Sequence, residues 1–343
     1  MIKKYTTTVL LATSVLALAF LLSACASAPA EVAPAAAAEG EQSQAAEEPQ
    51  LATAKVISQL SNQAGRAIVS ARGNHFIVDS VPPLEGPNEE LNPLDMILSA
   101  LATCGIFIAE KVAVEEDIPL EGATATVEGD FNPSGVASGE VDPRIQAFRV
   151  YLALPGADAE QAAALVENFT RRCPIYTTLI LSAPIDIITD GEATSEPIEG
   201  LATASVSAEL SNQPGRAIVS ARGNHFVIDS VPPLEGPNEE RNPLDLMLGA
   251  LATCGTFIYE RVAQEQQLPL TAITVAVEGD FDPRGVSGEA VNPRMQAFRV
   301  HMQLAGVDEA QAEQMQAEFE ARCPIYTTLS RTAPIEITAE LAE

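Results

Sequence analysis

Four cysteines form two matched pairs, Cys104 with Cys173 and Cys254 with Cys323, each pair separated by 69 residues. Two thiols can do redox chemistry: one attacks an oxidant and becomes a sulfenic acid, and the second condenses with it to a disulfide. They can equally form a static disulfide, the usual state of an even cysteine set in an oxidising compartment. The stretches that carry them recur. ALATCGIFIAEKV (100–112) returns as ALATCGTFIYERV (250–262), and RCPIYTTL stands at 172–179 and 322–329. At helical spacing Ile97, Leu101, Cys104 and Ile108 share one face, which turns Cys104 toward an apolar wall. Cys173 directly precedes Pro174, where a new helix would begin, and a thiol there feels backbone donors and the positive end of the helix dipole. No CxxC or nearby histidine accompanies either cysteine, so no metal site is expected. His75 and His225, each in a GNHF stretch, leave a Cys/His thiol hydrolase open as a reading.

The elements that must position these thiols repeat as a block. Residues 61–186 match 211–336 at a constant offset of 150, too long a period for a solenoid, so the chain reads as a tandem pair of domains. In each unit a strand ending near Leu60 meets a turn at Asn62–Gly65, followed by one β-rich run, RAIVSARGNHFIVDS, and a loop, VPPLEGPNEELNP. Asn92 caps a helix with Pro93 at its first position. That helix should run to about Glu116 and is apolar on nearly all sides, hence central and buried. ATATVEGDF and IQAFRVYLAL alternate as strands, DAEQAAALVENFTRRC is an amphipathic helix capped by Asp158, and PIYTTLILS opens a further short helix before the strand PIDIIT. The fold class is α+β, two tandem domains at 53–190 and 203–343, each a mixed sheet with a buried central helix, joined by a polar linker at 191–202.

Composition narrows the function. A formal net charge of −28, with no Trp, argues against nucleic acid, which needs clustered Lys and Arg. Lys3 and Lys4 precede an apolar run from Val9 to Leu22 and then Leu-Ser-Ala-Cys, the layout of a secretory signal at 1–24. The Leu-Ser-Ala-Cys end resembles the lipobox of bacterial lipoproteins, which implies a lipidated Cys25 and an exported protein anchored to the outer face of a membrane. Residues 25–52, rich in Ala, Pro, Glu and Gln, read as a disordered tether.

HFIVDSVPPLEGPNEELNPLDMILSALATC followed by RCPIYTTL resembles the OsmC/Ohr family of thiol-dependent peroxidases, over about 55–190 and 205–340. The resemblance implies an intertwined dimer, supplied here within one chain as an intramolecular pseudo-dimer with two sites. It implies that Cys104 and Cys254 are peroxidatic and Cys173 and Cys323 resolving, with an organic hydroperoxide as substrate, an external lipoyl-type dithiol as reductant and no cofactor. The family's glutamate ten residues before the reactive cysteine is Leu94 or Leu244 here, and an acid stands one residue on, at Asp95 and Asp245. The family's thiolate-supporting arginine falls on Gln63 or Gln213; the nearest guanidinium is Arg66 or Arg216, with Arg72, Arg222, Arg149 and Arg299 as further candidates. Without a close cation, apolar surroundings disfavour a thiolate. His301 replaces Tyr151 in the second copy. A substrate pocket is expected from Ile97, Leu101 and Phe107 and their counterparts Met247, Leu251 and Phe257. A non-catalytic module of the same fold, binding an apolar ligand, remains the other reading.

Overall fold

The computed structural model describes residues 50–189 and 195–342. The expected signal segment, Cys25, most of the expected tether and the start of the expected linker lie outside the described residues. Repeat 1 contributes β1 (Ala52–Leu60), β2 (Arg66–Ala71), β3 (Asn74–Asp79), α1 (Pro93–Glu115), β4 (Thr124–Phe131), α2 (Pro133–Ser138), β5 (Ile145–Ala153), α3 (Ala159–Arg172), α4 (Pro174–Leu179) and β6 (Ile185–Ile188). Repeat 2 follows the same order with β7 (Ala202–Leu210), β8 (Arg216–Ala221), β9 (Asn224–Asp229), α5 (Pro243–Gln266), β10 (Ala272–Phe281), α6 (Pro283–Val286), β11 (Ala297–Ala305), α7 (Glu309–Arg322), α8 (Pro324–Leu329) and β12 (Ile335–Ala342).

Two local features differ from the sequence expectation. The single β-rich run is a hairpin, because Arg72 (φ 50°) and Gly73 (φ 88°) both take the left-handed conformation that a tight two-residue turn demands. The short α2 was not expected, although Asn132 followed by Pro133 carries the same start signal as Asn92 followed by Pro93: its side chain accepts from Ser134 N at 3.0 Å.

The sheets are not built repeat by repeat. One has the order β12-β11-β10-β1-β2-β3 and the other β6-β5-β4-β7-β8-β9, so each takes three strands from each repeat. The seams are antiparallel: Val56 stands opposite Val277 where β1 meets β10, and Val206 opposite Val127 where β4 meets β7. The last strand of each repeat, β6 or β12, joins in parallel beside β5 or β11. α1 lies across β4 and β7, α5 across β1 and β10, and the two helices pack on each other between the sheets. Gly249 of α5 makes that crossing close, since a Cβ there would stand 2.6 Å from Met96 Cε of α1. Enclosed on all sides, α1 needs no polar face, which explains an apolar stretch long enough to cross a membrane inside a protein core.

Arg149 on β5 is wholly buried and donates to both oxygens of buried Asp130 on β4, at 2.7 and 2.8 Å, beside the β4–β7 seam. Thr203 Oγ1 of β7 (2.7 Å) and the linker's Ile198 N (3.0 Å) complete the carboxylate's shell. At the other seam Arg299 and Asp280 repeat the pair with side chains 27% and 16% exposed. Substituting one partner of a buried pair strands the other charge, so Arg149→Met should cost about 3–5 kcal/mol. Arg299→Met, nearer solvent, should cost about 1 kcal/mol. Urea denaturation of the two variants side by side measures the difference.

Candidate active site

Asn92 begins the first site. Its Oδ1 accepts from Asp95 N (2.9 Å) while Asp95 Oδ2 accepts from Asn92 N (3.0 Å), a reciprocal cap that starts α1 at Pro93; Asn242 and Asp245 repeat it on α5. Cys104 then falls mid-helix. Phe169 of α3 packs on Gly105, where a Cβ would come 3.2 Å from its ring, so α3 approaches α1 closely. Cys173, which ends α3, is thereby brought to Cys104. The two are disulfide-bonded with Cα atoms 6.1 Å apart, as are Cys254 and Cys323 at 6.0 Å. Cys173 Sγ also accepts from Tyr176 N at 3.2 Å, capping α4, and Cys323 does the same for Tyr326 N on α8.

A cavity of about 210 Å³ opens onto Cys254 and one of about 190 Å³ onto Cys104. Each is walled by the opposite repeat. Over Cys254 stand Val81, Leu84, Leu94 and Phe131 of repeat 1; over Cys104 stand Val231, Leu234, Leu244 and Phe281 of repeat 2. The cysteine's own helix adds Phe257 or Phe107. Apart from Ser80 and Asn92, or Ser230 and Asn242, the walls are apolar. Cys104 and Cys254 are 4% exposed, whereas Cys173 and Cys323 are wholly enclosed, so only one sulfur of each pair meets its cavity.

Two arginine systems hold the loop that roofs each cavity. Asp79, at the end of β3, accepts from Glu89 N (2.9 Å), Glu90 N (3.0 Å) and both Arg66 Nε and Nη2 (2.7 and 2.9 Å). Burial pushes its carboxyl up, but Arg66 and the two backbone donors outweigh this and hold it below the usual carboxylate range; Asp229 behaves alike with Arg216. From the other repeat, Arg222 reaches Asn88 Oδ1 (2.6 Å) and Asp95 Oδ2 (2.7 Å) and also binds Glu90 O. Arg72 binds Asn238, Glu240 and Asp245 in the same way. On the far side Glu110 of α1 accepts from Gly215 N (2.8 Å) in the hairpin turn of repeat 2; burial raises its carboxyl, with that hydrogen bond opposing.

The expected site residues are thus partly reassigned. Arg66 and Arg216 line neither cavity: with Asp79 or Asp229 buried thirteen residues on, the guanidinium is drawn to that carboxylate instead of a sulfur. Asp95 and Asp245 cap their helices and anchor the opposite arginine, and neither lines a cysteine cavity. Ile97, Leu101, Met247 and Leu251 are fully enclosed in the core, because the helix face they form is taken up by packing; Phe107 and Phe257 do line the cavities. His75 and His225 bond Ser70 and Ser220 on exposed hairpins and stand in neither cavity. The roof residues Ser80 and Leu84 were missed; their only signal was the identical DSVPPLEGP in both repeats, whereas Leu94, marked as the position of the family's glutamate, lines the cavity as an apolar wall. Arg172 and Arg322 were missed too. Nearly buried, they donate to Val286 O and Val136 O across the repeats, fixing the end of the cysteine-bearing helix beside each cavity.

A family model described as OsmC-like protein matches residues 86–189 and again 236–338. The chain belongs to the OsmC-like family, in two tandem copies. Among solved structures, an OsmC-like protein from Mycoplasma pneumoniae is 16% identical, covering 41% of this chain and 97% of its own, with a TM-score of 0.35. An organic hydroperoxide resistance protein from Elizabethkingia anophelis is 18% identical, covering 42% and 100%, with a TM-score of 0.34. One from Legionella pneumophila, an organic hydroperoxide resistance protein OsmC, is 17% identical, covering 39% and 94%, with a TM-score of 0.33. No curated protein matches the chain.

Arg222→Ala should free the roof of the Cys254 cavity alone: amide exchange at 84–91 should quicken while that at 234–241 stays as in the parent, read by hydrogen–deuterium exchange mass spectrometry. Acid should loosen both roofs. Because Asp79 and Asp229 carry folded-state values below their unfolded ones, their stabilisation is complete above about pH 4 and is lost as pH falls through the folded values. Asp79→Asn should flatten this part of the dependence in urea melts between pH 6 and pH 2.

Proposed function

We propose that the protein is a cysteine-based peroxidase that reduces organic hydroperoxides, exported and held by a lipidated Cys25 on the outer face of a bacterial membrane. The observation that carries this reading is the division of labour within each sulfur pair: an apolar cavity meets Cys104 or Cys254, while the bonded partner is sealed from it. In the reduced protein the cavity-facing sulfur attacks the terminal oxygen of the hydroperoxide. The O–O bond breaks, the sulfur is oxidised to a sulfenic acid and the alcohol leaves. Cys173 or Cys323 then displaces hydroxide from that sulfenic acid, releasing water and forming the disulfide. An external dithiol restores the two thiols by exchange. Apolar walls favour alkyl or lipid hydroperoxides over hydrogen peroxide, which has no apolar group to bury.

The test is oxidation of the reduced protein by one equivalent per site of cumene hydroperoxide or hydrogen peroxide, followed by rapid quenching and disulfide mapping. Cys104–Cys173 and Cys254–Cys323 bonds should form, faster with the organic peroxide. Cys173→Ser with Cys323→Ser should stop turnover and leave a trappable sulfenate on Cys104 and Cys254. Thiols that remain free while a control peroxidase is oxidised would sink the reading. The apolar character of the two cavities favours a second reading, a module that binds an apolar ligand; uptake of a lipophilic fluorophore without peroxide chemistry would support it.

A further inference from the structure

The Cys104 cavity is small, and a larger space adjoins it. A dry pocket of about 150 Å³ accommodates a single benzene ring, so the cavity of about 190 Å³ over Cys104 holds little more than the reacting end of a long hydroperoxide. Beside it lies a groove of about 600 Å³ with a mostly apolar lining. The groove exists because β1 and β2 pair only from Ile57, opposite Ser70, onward. Residues 52–56 pair with β10 on one side and, among the described residues, meet no strand on the other. The notch left there is bounded by the hairpin turn at Arg72 and Gly73, and Arg72 is tied to Asp245 of repeat 2. Val231, Asn242, Leu244 and Phe281 wall both spaces, so the groove shares a side with the Cys104 cavity. Phe281, opposite Ala52 at the end of β10, is only partly buried. The second copy departs at the groove and not at the shared wall. Val231, Leu244 and Phe281 recur as Val81, Leu94 and Phe131 around Cys254. β7 and β8 likewise pair only from Ser207 onward, but Lys55 and Ile57, which line the groove, are replaced there by Ser205 and Ser207.

We propose that the Cys104 cavity and this groove form one binding site for a long unbranched acyl chain, with Ile57 setting the preference. The site's role in catalysis rests on the peroxidase reading above. With its hydroperoxide group at Cys104, such a chain runs past Leu244 and Phe281 and along β1, where Ile57 and the methylenes of Lys55 take it out of water. The cations at the groove are already paired, Arg72 with Asp245 and Lys55 with Glu278, so burial of carbon and not charge supplies the selection. Hydroxyls at 205 and 207 offer a chain no such surface, which leaves Cys254 to compact hydroperoxides. Two sites with the same sulfur chemistry thereby divide substrates by length.

Protection from alkylation tests the site without any peroxide. Reduced full-length protein is treated with iodoacetamide at increasing oleate, kept below its micellar concentration, and each cysteine is followed by peptide mass spectrometry. Oleate should protect Cys104 at concentrations that leave Cys254 unprotected. Ile57→Ser should raise the oleate needed at Cys104 about fivefold or more. Ser207→Ile, at an exposed strand position, should bring protection to Cys254. No protection, equal protection of both cysteines, or protection of Cys104 that Ile57→Ser leaves unchanged overturns the assignment, whatever peroxides do. Oxidation by linoleic acid hydroperoxide and by cumene hydroperoxide then tests the division of substrates. The long-chain peroxide should favour Cys104 over Cys254 more than cumene hydroperoxide does, and Ile57→Ser should remove that difference. If both peroxides oxidise the two thiols in the same ratio, the division of substrates is overturned while the peroxidase reading stands. If oleate protects Cys104 alone but neither thiol reacts with peroxide faster than free cysteine, the acyl-chain site stands and the peroxidase reading falls.

Discussion

The structure depends on two antiparallel seams, β1 against β10 and β4 against β7. Taken alone, either repeat would leave β1 and β4 with unpaired edges, the hydrogen-bonding groups that invite uncontrolled association. Pairing each three-strand half with the complementary half of the other repeat satisfies both edges inside one chain. It also forces α1 and α5 against each other between the sheets, and that contact closes the core. Once the halves are exchanged, the loop after β3 cannot roof its own cysteine. It lies over the cysteine of the other repeat, which is why every cavity has walls from both.

The charged groups in this arrangement act on the roof and stay out of the cavity. Asp79 gathers Arg66 and two backbone donors, and Arg222 crosses from the other repeat to grip Asn88, Glu90 and Asp95. Both clamps stand behind a lining that is nearly all carbon. Asp95 is the clearest case of an acid whose place in sequence suggested chemistry and whose contacts are structural: it caps α1 and receives a guanidinium at once.

The two halves have diverged away from the cavities more than around them. Val81, Leu84, Leu94, Phe131 and Val136 recur as Val231, Leu234, Leu244, Phe281 and Val286. On the central helices the changes fall elsewhere. Ile106 becomes Thr256, which bonds Ser58 at 2.8 Å, and Ala109 becomes Tyr259, buried with its hydroxyl unpaired. The Arg149–Asp130 pair, sealed at one seam, is partly exposed at the other as Arg299–Asp280. A chain with two similar cavities and unequal supports can lose stability at one seam before the other.

Much of this was legible in the residues. Asn92–Pro93 announces α1, Asp158 announces α3, the 69-residue spacing identifies matched cysteines, and the offset of 150 reveals the duplication. These signals are local: caps, periodicity and repetition act over a few residues or compare one stretch with another. Which residues face a thiol is not local. The face holding Ile97 and Leu101 looked suited to a pocket and is consumed by core packing, while Ser80 and Leu84 lay in a loop with no periodicity to read. The sequence by itself determined the thiols, the helices that carry them and the doubling of the unit. Only the tertiary structure decided that each cysteine is housed by the other copy, because two nearly identical sets of strand edges offer the same local pattern and partner choice is made by which pairing buries both helices at once.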